Sequence, residues 1–215
     1  MRAQLFISDA LKIGAVELVP EGRKLKSGRI SPYFFNSGKF DNAKAIRLLA
    51  SAYAREVVEM GCTMPQVIFG PAYKGIPLAV ATAIALLSDY DTNVSYAFNR
   101  KETKDHGEGG IVVRHSLKEQ KVLIVDDVMT TGSSSGEAVE IVRANGGIPI
   151  GCIIAFDRQE RGMTTNLSAV QEFEEKYGIP VRAAATLDDL ILALKGQEDS
   201  EILGKILAYK KQYGV

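Results

Sequence analysis

Two acids stand side by side at the end of an apolar run in 121-KVLIVDDVMTTGSSSGEAVEIVRANGG-147. Burying adjacent carboxylates costs on the order of several kcal/mol unless donors or cations offset it. Carboxylates accept hydrogen bonds, so Asp126 and Asp127 suit sugar hydroxyls or a divalent cation. The stretch that follows, Thr130, Thr131, Gly132, Ser133 and Ser134, supplies hydroxyl donors and, at Gly132, freedom to take a positive φ. Where it enters a helix, free amides and the helix dipole favour an anion. A phosphate beside a diol is the chemistry of a ribose 5-phosphate. The plainer alternative is a strand, a serine N-cap and a helix whose dipole the acids balance. A P-loop is excluded, because no G-x-x-x-x-G-K-[ST] occurs, and no G-x-G-x-x-G follows a strand.

These residues need elements to hold them. Residues 3–13 have the pattern of an amphipathic helix, and 14–40 are short β-prone pieces broken by Gly and Pro. Residues 42–60 carry apolar groups at helical spacing. Strands are expected at 67–70, 94–98, 121–126, 148–156 and 181–186, and helices at 74–87, 134–145, 166–177, 187–195 and 199–212. A charged, Gly-rich loop follows the strand at 94–98. Such alternation points to a parallel α/β sheet covered on both faces, with its ligand site at the carboxyl ends of the strands.

The chain has 215 residues, enough for one domain with a small appendage. Basic and acidic residues balance at 26 each, so no overall field attracts nucleic acid or an anionic membrane, and any anion site must be local. Cys62 and Cys152 are too few for a disulfide framework, which suggests a reducing, cytoplasmic setting. The N-terminal residues lack the pattern of a signal peptide, and the apolar run 76-IPLAVATAIALL-87 is too short to span a bilayer.

IVDDVMTTGSS resembles the phosphoribosyl-diphosphate signature of the type I phosphoribosyltransferases. LKSGRISPYFFNSG (25–38), FGPAYKGIPLA (69–79), FNRKETKDHGEGG (98–110) and FDRQERG (156–162) resemble the orotate phosphoribosyltransferases in the same order, over almost the whole chain. The resemblance implies a twisted parallel sheet flanked by helices, a single domain over residues 1–215, and a small hood over the base site that includes residues 1–40. It also implies transfer of the ribose 5-phosphate group from 5-phosphoribosyl 1-diphosphate to orotate in pyrimidine biosynthesis. Mg²⁺ would be held by substrate and water, with no direct protein ligand.

By the same resemblance, Asp126, Asp127, Val128, Met129, Thr130, Thr131, Gly132, Ser133 and Ser134 bind the sugar diphosphate. Tyr73 and Lys74 form a second anion loop, with a non-proline cis peptide near Ala72–Tyr73; taken alone, that segment is a Pro/Gly turn with an exposed lysine. Arg100, Lys101, Lys104 and His106, followed by glycines, form a cationic lid that neutralises the departing diphosphate and excludes water. By composition alone this segment is a solvated hairpin tip. In the family the loop reaches the neighbouring subunit's site, which implies a twofold dimer with shared sites. Lys26 touches the diphosphate and the base. Phe34, Phe35, Thr130 and Arg158 are implied orotate contacts, although the two phenylalanines could be ordinary strand core and Arg158 a surface residue. Lys104, Asp126 and Asp127 carry the chemistry. His115 has no metal-ligand spacing around it and receives no role.

Two rivals share the signature loop. One is a phosphoribosyltransferase for another base, distinguished only by the N-terminal slot and Arg158. The other is a regulator that senses the sugar diphosphate while binding nucleic acid, for which the chain offers no basic face.

Overall fold

The structure is a computed structural model that describes residues 2–61, 63–104, 110–130, 132–195 and 200–215; the side chains of Thr103, Lys104 and Ser200 are outside that description. It opens with α1 (Arg2–Lys12), a hairpin of β1 (Val16–Lys24) and β2 (Ile30–Phe35), and a 3₁₀ turn (Ser37–Lys39). There follow α2 (Ala43–Glu59), β3 (Val67–Gly70), α3 (Gly75–Tyr90), β4 (Ser95–Lys104), β5 (Gly110–Arg114) and β6 (Lys121–Val125). The remainder is α4 (Ser133–Ala144), β7 (Ile148–Asp157), α5 (Ala169–Tyr177), β8 (Val181–Thr186), α6 (Leu187–Leu194) and α7 (Ser200–Tyr213).

The sheet has six strands in the order β5-β4-β3-β6-β7-β8. Its central strands are apolar on both faces, as buried parallel strands must be. Side chains alternate accordingly. Ile68, Leu123, Val125, Ile153 and Ala155 pack with residues of α1, α2, α3, α6 and α7 on one face. Val67, Phe69, Val122, Ile124, Cys152 and Ile154 pack with α4 and α5 on the other.

The chain runs outward from β3 to β4 and then returns to lay β6 on the opposite side of β3. Val67, Ile68 and Phe69 pair with Val122, Leu123 and Ile124 in parallel register. The strand order therefore reverses between β3 and β6, and a crevice opens outside their carboxyl ends.

Three expectations change in detail. The expected strand at 94–98 extends to Lys104 and returns as β5, antiparallel to it, so the sheet is mixed. The β-branched residues of 110-GIVVR-114 supply a partner strand that lay hidden beside the charged, Gly-rich segment. The helix expected from 166 begins at Ala169, because the Ser168 hydroxyl and the Gln171 side chain form a reciprocal capping box there.

Candidate active site

Two loops meet at the reversal point. After β3, the chain turns through Pro71–Lys74 into α3. Gly70 and Gly75 make that turn possible by close approach: a Cβ on Gly70 would lie 1.9 Å from the Gly75 carbonyl oxygen, and one on Gly75 would lie 2.6 Å from Pro71 Cδ. The peptide Ala72–Tyr73 is cis, as the resemblance implied. Buried Asn99 on β4 accepts the Ala72 N–H at 2.9 Å and so ties this turn to the neighbouring strand. The turn projects Lys74, whose Nζ lies 2.7 Å from Asp127 Oδ2 in the loop after β6.

Asp126 and Asp127 are both buried, at 4% and 7% exposure. Their environments differ. Asp126 accepts the Asp127 N–H at 2.9 Å and the Ser135 hydroxyl at 3.0 Å. Burial first, and the neighbouring Asp127 second, push its carboxyl above the usual range. Asp127 accepts the Ser37 hydroxyl at 2.6 Å, the Val128 N–H at 2.9 Å and the Lys74 ammonium. Burial works against its ionisation too, but hydrogen bonds from Lys74 and Ser37 outweigh that and hold the carboxyl below the usual range. Tyr53 on α2 donates to the Asp126 carbonyl at 2.7 Å, while the Asp126 N–H and the Asp127 carbonyl continue the pairing with β7. The two acids sit on backbone clamped from both sides.

Helix N-termini complete the polar lining. Side chains cap α2 (Asn42), α5 (Ser168) and α6 (Thr186). No side chain caps α3 or α4, the two helices that start at the crevice. The N-cap of α4 is Gly132 with φ 68°, where the plainer alternative placed a serine, and it makes no side-chain cap hydrogen bond. Ser133, Ser134 and Thr130 are exposed beside it, Met129 is buried and Val128 bridges to Phe156 on β7. Thr131 lies outside the described residues.

A cavity of about 370 Å³ lies over this point, lined by Ser37, Phe40, Asn42, Lys74, Pro77 and Asp127 among others. A wider concavity of about 750 Å³ runs along β1 and includes none of the loop residues after β3 or β6. No cluster of three or more His, Cys, Asp or Glu among the described residues forms a metal cage. Each oxygen of Asp126 and Asp127 already accepts a protein donor. Such a donor set fits a hard cation held mainly by substrate oxygens and water, and reached by the acids through water.

The remaining candidate residues divide. Arg158, just after β7, lies under the N-terminal hairpin: its Nη2 donates to Ser31 Oγ at 3.0 Å, and its guanidinium sits 4.3 Å from the Tyr33 ring centroid. Phe35 turns its ring into the core, stacked 5.3 Å from Phe156, so only its backbone is left to face a ligand. Phe34 is half-buried beneath the Arg23 guanidinium, 3.7 Å from its ring centroid. Lys26 is exposed in the turn between β1 and β2 and makes no hydrogen bond among the described residues. Tyr73 is 69% exposed, with Lys101 Nζ 5.3 Å from its ring centroid. Arg100 follows Asn99 on β4. The Lys104 side chain and His106 fall outside the described residues, although the backbone of Lys104 pairs with Gly110.

Sequence reasoning missed Ser37, Tyr53, Asn99, Ser135 and Glu160. Ser135 alone carried a usable signal, as the third serine after Gly132, in the first turn of the helix that follows the acids. Ser37, Tyr53 and Asn99 come from distant segments that only the fold brings near, and Glu160, two residues from Arg158, has no sequence pattern to mark its role.

The model of the phosphoribosyl transferase domain family matches residues 38–185. The orotate phosphoribosyltransferase of Nitrosococcus oceani is 54% identical over 192 residues, covering 89% of this chain and 86% of that protein. The enzyme of the same name from Acinetobacter baumannii is 45% identical over 212 residues, covering 99% and 96%. The crystal structure of orotate phosphoribosyltransferase from Francisella tularensis superposes with a TM-score of 0.88 at 34% identity, covering 98% of this chain and all of that one.

Proposed function

The chain belongs to the phosphoribosyl transferase family, among its orotate phosphoribosyltransferases, and we propose how its residues divide that reaction. The enzyme transfers the ribose 5-phosphate group of 5-phosphoribosyl 1-diphosphate to orotate, giving orotidine 5′-phosphate and diphosphate, in de novo pyrimidine synthesis. The bond from the anomeric carbon to diphosphate breaks as the bond to orotate forms, with inversion and oxocarbenium character at that carbon.

One observation carries the division of roles. Lys74 and Asp127 meet at 2.7 Å between the only two helix starts lacking a side-chain cap, among the helices whose caps are described. The α4 start, residues 130–134, cradles the 5-phosphate. Asp126 and Asp127 accept the ribose hydroxyls, and Asp127, whose carboxyl Lys74 and Ser37 hold below the usual range before the sugar arrives, places negative charge beside the developing cation. Lys74, with Tyr73 and the α3 start, takes the diphosphate once the sugar's hydroxyls replace the ammonium at Asp127. Lys26, Arg100, Lys101, Lys104 and His106 supply further positive charge to the leaving group. No covalent nucleophile is needed; positioning and electrostatics suffice. Mg²⁺ bound to the substrate would neutralise part of the diphosphate charge, with Asp126 and Asp127 reaching it through water.

The N-terminal hairpin serves as a hood over the base, with Arg158 reading the orotate carboxylate and Phe34, Phe35 and Thr130 bounding the ring. The working unit is a cytoplasmic homodimer with shared sites. Ile84 and Leu87 on α3, 60% and 51% exposed, support an interface on that helix, and light scattering tests it. The substrate assignment is tested by mixing protein, Mg²⁺, the sugar diphosphate and one base at a time, and following base absorbance. Orotate alone is consumed; consumption of another base with orotate untouched overturns the assignment.

A further inference from the structure

Glu160 sits where three segments converge, the loop after β7, the N-terminal hairpin and α7, and the catalytic roles above leave it unused. Its carboxylate takes Arg158 Nε at 2.7 Å and Nη2 at 2.5 Å on Oε1. The same oxygen accepts the hydroxyls of Tyr209 on α7 at 3.0 Å and Tyr33 on β2 at 3.4 Å. Oε2 faces Arg29 Nη1 at 3.3 Å, just before β2. The side chains of Glu160, Arg29 and Arg158 are 12–14% exposed.

The backbone is built to deliver this arrangement. Asp157 Oδ1 accepts the Gln159 N–H at 2.8 Å, and Gln159 takes φ 51°, a left-handed step between Arg158 and Glu160. The C-terminal segment then holds the loop: Arg161 N–H donates to the Tyr213 carbonyl at 2.8 Å and Val215 N–H to the Gln159 carbonyl at 3.0 Å.

We propose that Glu160 is a positioning residue for the base: it grips the Nε/Nη2 edge of Arg158, so that Nη1 is the part of the guanidinium presented to the orotate carboxylate. Ser31 takes Nη2 from its other side, and Nη1 makes no hydrogen bond among the described residues. A guanidinium held along one edge has lost its rotamer freedom before the ligand arrives, which lowers the entropic cost of binding. Charge supports the same role. Arg29 and Arg158 share one carboxylate, so the contacting groups leave one positive charge, matched to a monoanionic base rather than a neutral one. A pair serving stability alone has no need of that surplus, and apolar replacements of buried pairs are often neutral.

This inference rests on Arg158 as the orotate contact, so the test carries both variants. Glu160→Gln is expected to raise the KM for orotate about tenfold while the KM for the sugar diphosphate stays within about twofold. Glu160→Asp, which keeps the charge one methylene short, recovers part of the loss. Unchanged constants in Glu160→Gln, or equal increases in both, overturn the proposal. If that variant does not fold, Tyr209→Phe removes one hydrogen bond and keeps the ring; a two- to threefold rise in the orotate KM alone is expected, on the order of a weak neutral hydrogen bond, and no change overturns the proposal. Arg158→Ala separates the two ideas. If it leaves the orotate KM unchanged, the Arg158 assignment itself fails. If it raises that KM and Glu160→Gln does not, only the positioning role fails.

Discussion

Gly70→Ala tests whether the turn after β3 is a positioning device. The added Cβ would fall 1.9 Å from the Gly75 carbonyl oxygen, 2.4 Å from its carbonyl carbon and 3.0 Å from Ala79 Cβ. The first contact is about 1.1 Å shorter than the 3.0 Å that real Cβ atoms keep. The obstacle is backbone, so no side chain can swing aside, and the strand end and the start of α3 must separate by about that distance. Lys74 is the residue before Gly75, and it moves with that carbonyl away from Asp127. A misplacement of about 1 Å at a catalytic group lowers the rate roughly 100-fold. Overpacking of this kind also costs about 1–3 kcal/mol of stability, or roughly 2–4 °C of melting temperature per kcal/mol for a chain of this length. The assay is orotate absorbance under saturation of each substrate in turn, beside a thermal melt. The expected loss is in kcat/KM for the sugar diphosphate. Gly204→Ala on α7 is the control: its Cβ meets nothing within 4 Å, so activity stays within about twofold and stability rises by about 0.5–1 kcal/mol. Gly70→Ala retaining kcat/KM within threefold, in a folded protein, would refute the reasoning.

Asp127→Asn removes the charge that Lys74 and Ser37 hold in place; kcat/KM for the sugar diphosphate is expected to drop by about 100-fold or more, with circular dichroism unchanged. Asp126→Asn should stabilise the fold and damage activity. The raised folded pKa of Asp126 means that its ionisation opposes folding: nothing is lost below the unfolded value near 3.9, and the penalty is complete above the folded value. The melting temperature of the Asn variant relative to wild type should therefore be highest at pH 8 and shrink toward pH 4; a difference that grows toward low pH contradicts this. Asp127 has the opposite sign, and the stability it contributes above the unfolded value is lost as pH falls through its depressed folded value. Lys104→Ala should lower the turnover number at least about tenfold at an unchanged melting temperature, and an unchanged turnover number would remove the lid from the reaction.

Much of this protein was legible in one dimension. Apolar runs of strand length alternating with helical periodicity demanded a sheet covered on both faces, because no other arrangement buries VIFG, KVLIV and IPIGCIIAF together. The pairing of Asp126 and Asp127 with a hydroxyl-glycine loop is local chemistry carried on contiguous residues, so its spacing alone pointed to a sugar phosphate. β5 was hidden because an antiparallel return needs no crossover helix to announce it, and its β-branched residues follow directly on glycines and charges. Tertiary structure alone decided the rest. Which acid keeps its charge depends on Lys74, 53 positions away, and on Ser37, 90 away. Whether Arg158 is a surface cation or a held one depends on Ser31 and the Tyr33 ring, which touch it, and on Glu160, whose carboxylate the Tyr33 and Tyr209 hydroxyls reach from both ends of the chain. Hydrogen bonds and ion pairs act over about 3 Å of space whatever the separation along the chain, and only the packed sheet sets those distances.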